Sequence, residues 1–190
     1  MHTPQIIILI GSASDLPFAH RIEDFMKENR LPIKCEYRID SAHRNPEKLL
    51  QDLKNYESSE DIVFITVAGV SDALSGVVAG YTSKPVIACP PDIKEHKWAK
   101  FFSSAFMPKG VPVAFVVEPE NAALAAARIL ALSSNSLAKA VGKLRDASKE
   151  AVIKADRELK EKKKFELERE HLERIEHELH GQHEETETEE

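Results

Sequence analysis

The segment QIIILIGSASDLP, residues 5–17, decides the fold of this chain. Its first half is an unbroken run of isoleucine and leucine, which predicts a strand with apolar side chains on both faces, as a strand covered by helices on each side must have. Gly11 and the polar residues after it end the strand, and residues 16–30 continue with apolar side chains at helical spacing. The segment therefore predicts a buried strand, a short loop and an amphipathic helix, in that order.

The same order recurs along the chain. Short apolar or β-branched runs bounded by glycine, proline or aspartate predict five strands, at residues 5–10, 33–39, 61–67, 85–89 and 111–117. Apolar residues at helical spacing predict helices at residues 16–30, 45–57, 72–82 and 120–133. Strands that alternate with helices form βαβ units, so we predict an α/β protein, a three-layer sandwich around a five-stranded parallel sheet.

The end of the chain differs in character. Residues 135–180 carry apolar side chains at helical and coiled-coil spacing among many charges, which predicts one long C-terminal helix. Residues 181–190, GQHEETETEE, cannot bury apolar surface, so we expect a disordered acidic tail. The predicted organisation is a catalytic domain at residues 1–134, followed by the helix and the tail.

Four histidines of the long helix allow two interpretations. They could chelate a metal ion, but scattered spacing without cysteine support is more typical of a solvated polar helix face. We therefore predict no metal site from this group, which comprises His171, His177, His180 and His183.

Charge and cysteine content restrict the classes of function. The net charge is −6, and most of the excess negative charge lies beyond residue 155, which leaves a near-neutral body. Such a body has no basic face for a nucleic-acid backbone, so we expect no nucleic-acid partner. No segment approaches the roughly 20 apolar residues of a membrane span, so we expect no membrane partner. Cys35 and Cys89 have no disulfide-framework or metal-binding spacing, which fits a cytoplasmic protein.

In a parallel α/β sheet, ligands bind outside the carboxyl ends of the strands. The loops predicted there are GSASDLP at residues 11–17, DSAHRNP at residues 40–46 and AGVSDALSG at residues 68–76, all dense in small and polar residues. The connection at residues 90–110 is long enough to be a binding segment or a lid. A flap over the ligand or an oligomer contact is predicted for its Lys94, His96, Lys97 and Trp98, with ordinary packing favoured for Trp98.

The first loop has a structural and a functional interpretation. Gly11 could simply turn the chain, and Ser14 or Asp15 could cap the next helix. Alternatively, the hydroxyls of Ser12 and Ser14 could hold an anion at a helix N-terminus while Asp15 accepts a hydrogen bond from a ligand hydroxyl. The loop contains no dinucleotide or Walker motif, so neither a dinucleotide nor ATP is indicated.

The second loop places His43 beside Arg44. A neutral imidazole can take or give a proton near pH 7, and a guanidinium can hold a phosphate through two N–H groups. The structural alternative for Arg44 is an ion pair with Glu47 or Asp40. The position of the pair at the carboxyl end of a strand favours a functional role.

Four ordered motifs carry a resemblance to a known family: GSASDLP, SAHRNPEKL, AGVSDALSGVVAGYTSKPVIACPP and MPKGVPVAFV. Over about residues 5–134 the chain resembles the purine-biosynthesis enzymes that make 4-carboxy-5-aminoimidazole ribonucleotide. The resemblance implies a flavodoxin-like parallel sheet, no metal and no organic cofactor. It also implies a homo-oligomer with shared active sites, such as a homo-octamer, in which the C-terminal helix packs on neighbouring subunits.

Carried over residue by residue, the resemblance implies a ribonucleotide site. Ser12 and Asp15 would contact the phosphoribosyl part of the substrate, and Ser41 and Arg44 its phosphate. His43 would be the catalytic residue, because carbon–carbon bond formation at an electron-rich aminoimidazole needs a base to remove the ring proton. The predicted substrate-binding residues are Ser12, Ser14, Asp15, Ser41, Arg44, Gly69 and Ser71.

Two branches of the family differ in the source of the carboxyl group. In the mutases it arrives on the exocyclic amine, and the loop after the third strand typically reads Gly-Gly followed by Ala-Ala-His. In the carboxylases free CO2 adds to the ring, and the sequence typically reads Ala-Gly-Arg-Ser-Asn there and Cys-Pro-Pro after the fourth strand. AGVSD at residues 68–72 and CPP at residues 89–91 favour a carboxylase, with a mutase as the alternative.

Four positions depart from the carboxylase pattern. Val70 and Phe106 stand in place of arginines, Asp72 stands in place of an asparagine, and Arg44 is typical of the mutases. Loss of two cations and gain of a carboxylate would change the field around bound CO2, unless Asp72 only stabilises a helix N-terminus. A more distant alternative is a non-catalytic flavodoxin-like nucleotide-binding module, which would need neither His43 nor Arg44.

Overall fold

The computed structural model describes the backbone of residues 3–186, and their side chains except those of residues 96–98, 171 and 173–186. The chain divides into two compact units, residues 1–143 and residues 144–190. The first unit contains a sheet and the helices around it, and the described part of the second unit is helical.

All five strands of the sheet are parallel. In chain order they are β1 (Gln5–Ile10), β2 (Lys34–Ile39), β3 (Ile62–Val67), β4 (Val86–Ala88) and β5 (Ala114–Phe115). Across the sheet the order is β2-β1-β3-β4-β5, so β1 lies beside β3 although β2 separates them in sequence. The chain therefore leaves β1 and β3 toward opposite sides of the sheet, which opens a cleft between their carboxyl ends.

The helices are α1 (Leu16–Glu28), α2 (Pro46–Asn55), α3 (Leu74–Tyr81), α4 (Ile93–Ala105), α5 (Pro119–Leu130) and α6 (Asn135–Thr186). A single 3-10 turn at Ala13–Asp15 precedes α1. Three of the helices, α1, α2 and α5, have proline in their first turn, where its missing N–H group removes no helical hydrogen bond. Proline therefore sets the start of each of these helices.

The alternating side chains of β1 divide the interior into two hydrophobic cores. Ile6, Ile8 and Ile10 are buried on one face of the sheet, in a core that includes residues of α1 and α5. Ile7 and Leu9 are buried on the other face, with residues of α2 and α3. Both faces of the strand are thus covered by helices, which is why its sequence is apolar without alternation.

The predicted fold class is confirmed: the chain is an α/β, flavodoxin-like protein with a five-stranded parallel sheet and a long C-terminal helix. The predicted boundaries of β1–β4 agree with the structure within one residue. The fifth strand, predicted at residues 111–117, contains only Ala114–Phe115, because this edge strand pairs with β4 over just those two residues.

Residues 90–110, predicted as a long loop, are mostly helical, because α4 occupies Ile93–Ala105. The buried face of this helix is hidden in the sequence, since the fully buried side chains described on it are the polar ones of Lys100 and Ser104. Lys94 is exposed on the helix. The side chains of His96, Lys97 and Trp98 lie outside the described residues, so the roles predicted for them stay predictions.

The long helix predicted at residues 135–180 continues to Thr186 as α6. Residues 181–186 of the predicted tail are therefore helical, and residues 187–190 lie outside the described part of the chain, as do the side chains of the four histidines. Within the described residues, no helix combines the length and the apolar character needed to cross a membrane.

The first turn of α6 belongs to the core of the first unit. Leu137 is fully buried there, and Ala140 and Val141 pack against the same cluster. This turn lies beyond residue 134, where the predicted catalytic domain ends, and the first compact unit extends to residue 143.

Leu137→Ala should lower the free energy of unfolding by about 2–4 kcal/mol, the usual effect of removing a buried leucine side chain. Leu132, which is 89% exposed one turn before α6 begins, provides the matched control. Leu132→Ala should change stability by less than ~0.5 kcal/mol. Urea unfolding followed by circular dichroism measures both, and equal effects would mean that Leu137 is not a core residue.

Candidate functional site

A cavity of about 400 Å³ opens where the connections after β1, β2 and β3 meet. This is the switch point of the sheet, the place where ligands bind in open α/β folds. Every residue predicted for the site lines this cavity: Ser12, Ser14, Asp15, Ser41, His43, Arg44, Gly69 and Ser71. The structure therefore brings together side chains from three loops that are distant in sequence.

Gly11 allows the first and third loops to run side by side. Its N–H group donates to the Val67 carbonyl at 2.8 Å, which continues the pairing of β1 with β3 beyond the last residues of the strands. A Cβ atom at residue 11 would lie 3.2 Å from the Cβ of Ala68, closer than ordinary van der Waals contact. A side chain at residue 11 would thus push apart two walls of the cavity.

Arg44 joins the second loop to the first. Its Nη2 donates to the Gly11 carbonyl at 2.6 Å, and its Nε donates to Ser41 Oγ at 3.2 Å. The backbone N–H of Arg44 donates to the same hydroxyl oxygen at 3.2 Å. These bonds leave three of the five guanidinium N–H groups for an anion, and Ser41 Oγ, an acceptor in both bonds, can still donate its own proton.

The start of α2 holds the loop that carries His43. Asn45 Oδ1 accepts a hydrogen bond from the backbone N–H of Lys48 at 3.1 Å and so caps the helix. The Lys48 ammonium forms an ion pair with the buried carboxylate of Asp40. Asp40 therefore pairs with Lys48 and leaves Arg44 to the cavity. His43 is exposed in the cavity wall, and within the described residues no hydrogen bond holds its imidazole.

The first loop presents hydroxyl groups rather than a helix cap. Ser14 Oγ donates to Ser12 Oγ at 2.9 Å, so the hydroxyl proton of Ser12 can be donated to a ligand. Asp15 stands at the N-cap position of α1, but its side chain makes no capping hydrogen bond. The structural interpretation of Asp15 as a cap is therefore wrong, and its carboxylate faces the third loop and the cavity.

Asp15 has a perturbed ionisation equilibrium. Burial raises the pKa of its carboxyl group above the ordinary value, and the negative charge of Asp92 raises it further. Hydrogen bonds from the Gly69 backbone and from Ser14, together with the charge of Lys100, act in the opposite direction. The raised pKa indicates that the free protein holds this charge at a cost, which a hydrogen-bonding ligand could reduce.

Lys100 and Asp92 support the third loop and were not predicted. The Lys100 ammonium, fully buried, donates to the carbonyls of Ala68 at 2.5 Å and Val70 at 3.1 Å. Asp92 Oδ2 accepts the Val70 N–H at 2.5 Å. Asp92 carries a usable signal, its place just after β4, whereas the pattern around Lys100 resembles any charged, exposed helix.

The departures at residues 72 and 106 place no charge in the cavity. Asp72 is buried at the start of α3, where its carboxylate accepts hydrogen bonds from the backbone N–H of Ser75 at 3.1 Å and from its Oγ at 2.8 Å. This is the helix-terminus role, and Asp72 is not part of the cavity wall. Phe106 is 65% exposed and lies against Phe102, with ring centroids 4.8 Å apart.

Neither cysteine has the character of a reactive thiol. Burial raises the pKa of both thiols, that of Cys35 and that of Cys89, to about 12. Within the described residues, no group of three or more histidine, cysteine, aspartate or glutamate side chains could hold a metal ion. The polar side-chain groups that line the cavity are hydroxyl, carboxylate, guanidinium and imidazole groups.

Fold and site together define a class: a flavodoxin-like α/β protein whose cavity, at the switch point of the sheet, is lined by a guanidinium, serine hydroxyls, a carboxylate and an imidazole. Comparison with known proteins narrows the class. The sequence model of the AIR carboxylase family matches residues 5–151. The chain belongs to this family, and it is an enzyme of purine biosynthesis.

Relatives from both branches of the family are similar to this chain. A phosphoribosylaminoimidazole carboxylase of Archaeoglobus fulgidus is 45% identical over 154 residues, which cover 81% of this chain and 84% of the relative. An N5-carboxyaminoimidazole ribonucleotide mutase of Methanocaldococcus jannaschii is 41% identical over 158 residues, 82% and 98% of the two chains. The crystal structure of Treponema denticola PurE, 39% identical, superimposes with a TM-score of 0.77 over 82% of this chain and 98% of that one.

Asp15→Asn should stabilise the free protein at neutral pH. Because the folded-state pKa of Asp15 is raised, the unfolded chain ionises first as the pH rises above about 4, and the folded state then loses stability until its own carboxyl has ionised. The stability advantage of the variant should therefore be absent below about pH 4 and grow as the pH rises. Urea unfolding at a series of pH values measures it.

The matched control is Asp24→Asn, which removes an exposed carboxylate from α1. It should show no comparable gain at neutral pH. A wild-type protein more stable than Asp15→Asn at pH 7 would contradict the assignment of a raised pKa to Asp15.

Proposed function

We propose that this enzyme carboxylates 5-aminoimidazole ribonucleotide with CO2 to give 4-carboxy-5-aminoimidazole ribonucleotide. The observation that carries the proposal is the meeting of His43, Arg44, Ser12 and Asp15 in one cavity of about 400 Å³. Arg44 and Ser12 can donate hydrogen bonds to the oxygens of a charged ribonucleotide. The imidazole of His43 can exchange a proton with it.

The phosphate of the substrate binds between the first and second loops. Arg44 bridges these loops through Gly11 and Ser41, and its remaining N–H groups donate to phosphate oxygens. The hydroxyls of Ser12 and Ser41 have protons to donate to the same anion. Asp15, which lines the same cavity, accepts hydrogen bonds from ribose hydroxyls.

The reaction needs one proton transfer. The exocyclic amine makes the ring carbon C4 electron-rich, so an electron pair of the ring forms the new bond to the carbon of CO2, whose oxygens take up the negative charge. The ring then carries both a hydrogen and a carboxylate at C4. His43 removes that proton and the C–H electron pair restores the aromatic ring; in the reverse direction the imidazolium returns the proton to C4 and CO2 leaves.

Two stretches of sequence support free CO2 as the carboxyl source. Residues 68–72 match the carboxylase pattern at three of five positions and residues 89–91 match it fully, and a relative named as a carboxylase is 45% identical. The carboxylate of Asp72 is buried, bonded to Ser75, and does not face the cavity. The departure at residue 72 therefore does not argue against a carboxylase. The alternative is a 5-(carboxyamino)imidazole ribonucleotide mutase giving the same product, which Arg44 and the Methanocaldococcus relative favour.

We further propose that the chain acts in the cytoplasm as a homo-oligomer, with an octamer as the form that the resemblance implies. Exposed aromatic side chains of the first unit, Phe102 at 56% and Phe106 at 65%, support an association of subunits. Residues 135–180 would add contacts between subunits through the exposed apolar side chains of α6, such as Phe165 and Leu172.

His43→Asn should keep the fold and the affinity for the ribonucleotide but lower turnover by about 100-fold or more, the usual effect of losing a general acid–base. Turnover is followed by the ultraviolet absorbance of the product, and affinity by calorimetry with the product. His20→Asn, an exposed histidine on α1, is the matched control and should keep wild-type turnover. Near-normal turnover of His43→Asn would remove His43 from the mechanism.

The carboxyl source is tested with ¹³C-bicarbonate. In separate reactions the enzyme receives 5-aminoimidazole ribonucleotide or the unlabelled carboxyamino compound, each with labelled bicarbonate and carbonic anhydrase, and the product is analysed by mass spectrometry. A carboxylase converts aminoimidazole ribonucleotide to labelled product at a rate that depends on His43.

The opposite labelling pattern identifies a mutase. In that case the carboxyamino compound gives product that keeps its own unlabelled carboxyl group, and aminoimidazole ribonucleotide with bicarbonate gives almost none. That result would overturn the carboxylase assignment and establish the alternative.

A further inference from the structure

The buried lysine of α4 has a bonding pattern that ordinary packing does not require. The Lys100 ammonium donates hydrogen bonds to the carbonyls of Ala68 and Val70, and it forms an ion pair with Asp92 Oδ1 at 3.3 Å. The side chain is fully buried, and burial of an ammonium group is unfavourable unless such contacts form. A helix whose function was only to cover the sheet would use an apolar residue at this position.

Four backbone polar groups of the turn at residues 68–70 are bonded to side chains. Lys100 donates to two carbonyls, and Asp92 Oδ2 accepts the Val70 N–H at 2.5 Å. The Asp15 carboxylate accepts the Gly69 N–H. A Cβ atom on Gly69 would lie 3.4 Å from Asp92 Oδ2 and 3.8 Å from Asp15 Oδ1, so the turn passes between two carboxylates. Lys100 is the cation that balances them.

The turn is also strained. Val70 has φ of 58°, a left-handed conformation that is unfavourable for a β-branched residue. Such a conformation persists only where surrounding contacts determine it more strongly than the local preference opposes it. Lys100 and Asp92 are those contacts, since together they hold both the N–H and the carbonyl of Val70.

Lys100 contacts the backbone of Val70, one of the two positions at which this chain lacks an arginine of the carboxylase pattern. The side chains at residues 70 and 106, where the carboxylase pattern has arginine, are Val70 at 74% and Phe106 at 65% exposure. Lys100 brings a positive charge to the same turn from its buried side. The charge therefore acts on the cavity through the backbone of residues 68–70, and no cationic side chain at residue 70 is needed.

We propose that Lys100 is a positioning residue for the carboxyl-transfer end of the site, which fixes Gly69 and Ser71 in the cavity wall and supplies the positive charge of their turn. The proposal rests on the proposed function, because it concerns the part of the cavity away from the phosphate contacts of Arg44 and Ser41. Lys100 does not line the cavity, so it acts through the turn rather than by touching the substrate.

The test is Lys100→Met, which removes the charge and the donors and keeps an unbranched side chain that lacks only the terminal group. We expect affinity for the ribonucleotide product, measured by calorimetry, to change less than about threefold, because the phosphate contacts are separate. We expect kcat to fall by about tenfold or more. Lys109→Met, which removes an exposed lysine from the segment after α4, is the matched control and should leave both quantities unchanged.

A purely structural support would not move the pH dependence of the reaction. Asp15 faces Asp92 and Lys100, and loss of the lysine leaves two neighbouring carboxylates without a cation. The acidic limb of the kcat/KM profile should therefore move to higher pH in Lys100→Met. An unshifted profile, or equal losses of product affinity and of kcat, would overturn the positioning role.

Lys100→Met could fail to fold because it leaves Asp92 buried without its cation. The double variant Lys100→Met/Asp92→Asn removes both charges and keeps an oxygen to accept the Val70 N–H, and replacement of both members of a buried pair is often tolerated. It should fold, bind product within about threefold of wild type and show the same loss of kcat. Wild-type kcat in this folded variant would also overturn the proposal.

Failure of the proposed function is distinguishable from failure of this inference. If the wild-type enzyme uses the carboxyamino compound instead of CO2, the carboxylase assignment falls, and the same variants are measured with that substrate. The separation of product affinity from kcat then still decides whether Lys100 positions the turn.

Discussion

Parallel pairing of β1 with β2 on one side and with β3 on the other is the constraint on which the rest of the molecule depends. In this register Ile10 lies opposite both Ile39 and Val67, so the three strands end at the same level. Neighbouring strands are about 4.8 Å apart, so the three loops that follow begin within about 10 Å of one another. The backbone hydrogen bonds of the sheet thus bring residues that are distant in sequence to one cavity.

Backbone groups at the ends of the strands need hydrogen-bond partners, and side chains in and around the site provide them. Backbone groups that leave the sheet lose their ladder partners and need others. Arg44 donates to the Gly11 carbonyl, and Lys100 donates to the carbonyl of Ala68. The Asp15 carboxylate accepts the Gly69 N–H. Because these side chains are held by the backbone, they are positioned before a ligand arrives, and the cost of ordering them is met on folding rather than on binding.

The departures from the carboxylase pattern have different consequences once they are placed in space. Asp72 is a helix-terminus carboxylate engaged by Ser75 and adds no charge to the cavity. Val70 removes a cation from the exposed side of the third loop, while Lys100 holds one on its buried side. The change in the field around a bound carboxyl group is therefore smaller than a comparison of residue types suggests.

The sequence by itself determined the βαβ order, the apolar strands β1 and β3 and the three loops that meet at the switch point, because local hydrophobic period and turn residues encode these features. It also singled out His43, Arg44 and Asp15, since parallel strands place all their carboxyl ends at one edge. Neither α4 nor the short length of β5 could be predicted from the sequence. A buried lysine has the same local pattern as an exposed one, and the length of an edge strand depends on its single neighbour. Only the tertiary structure decided that Lys100 and Asp92 hold the third loop and that Asp72 faces α3, because each depends on which groups meet across long stretches of chain.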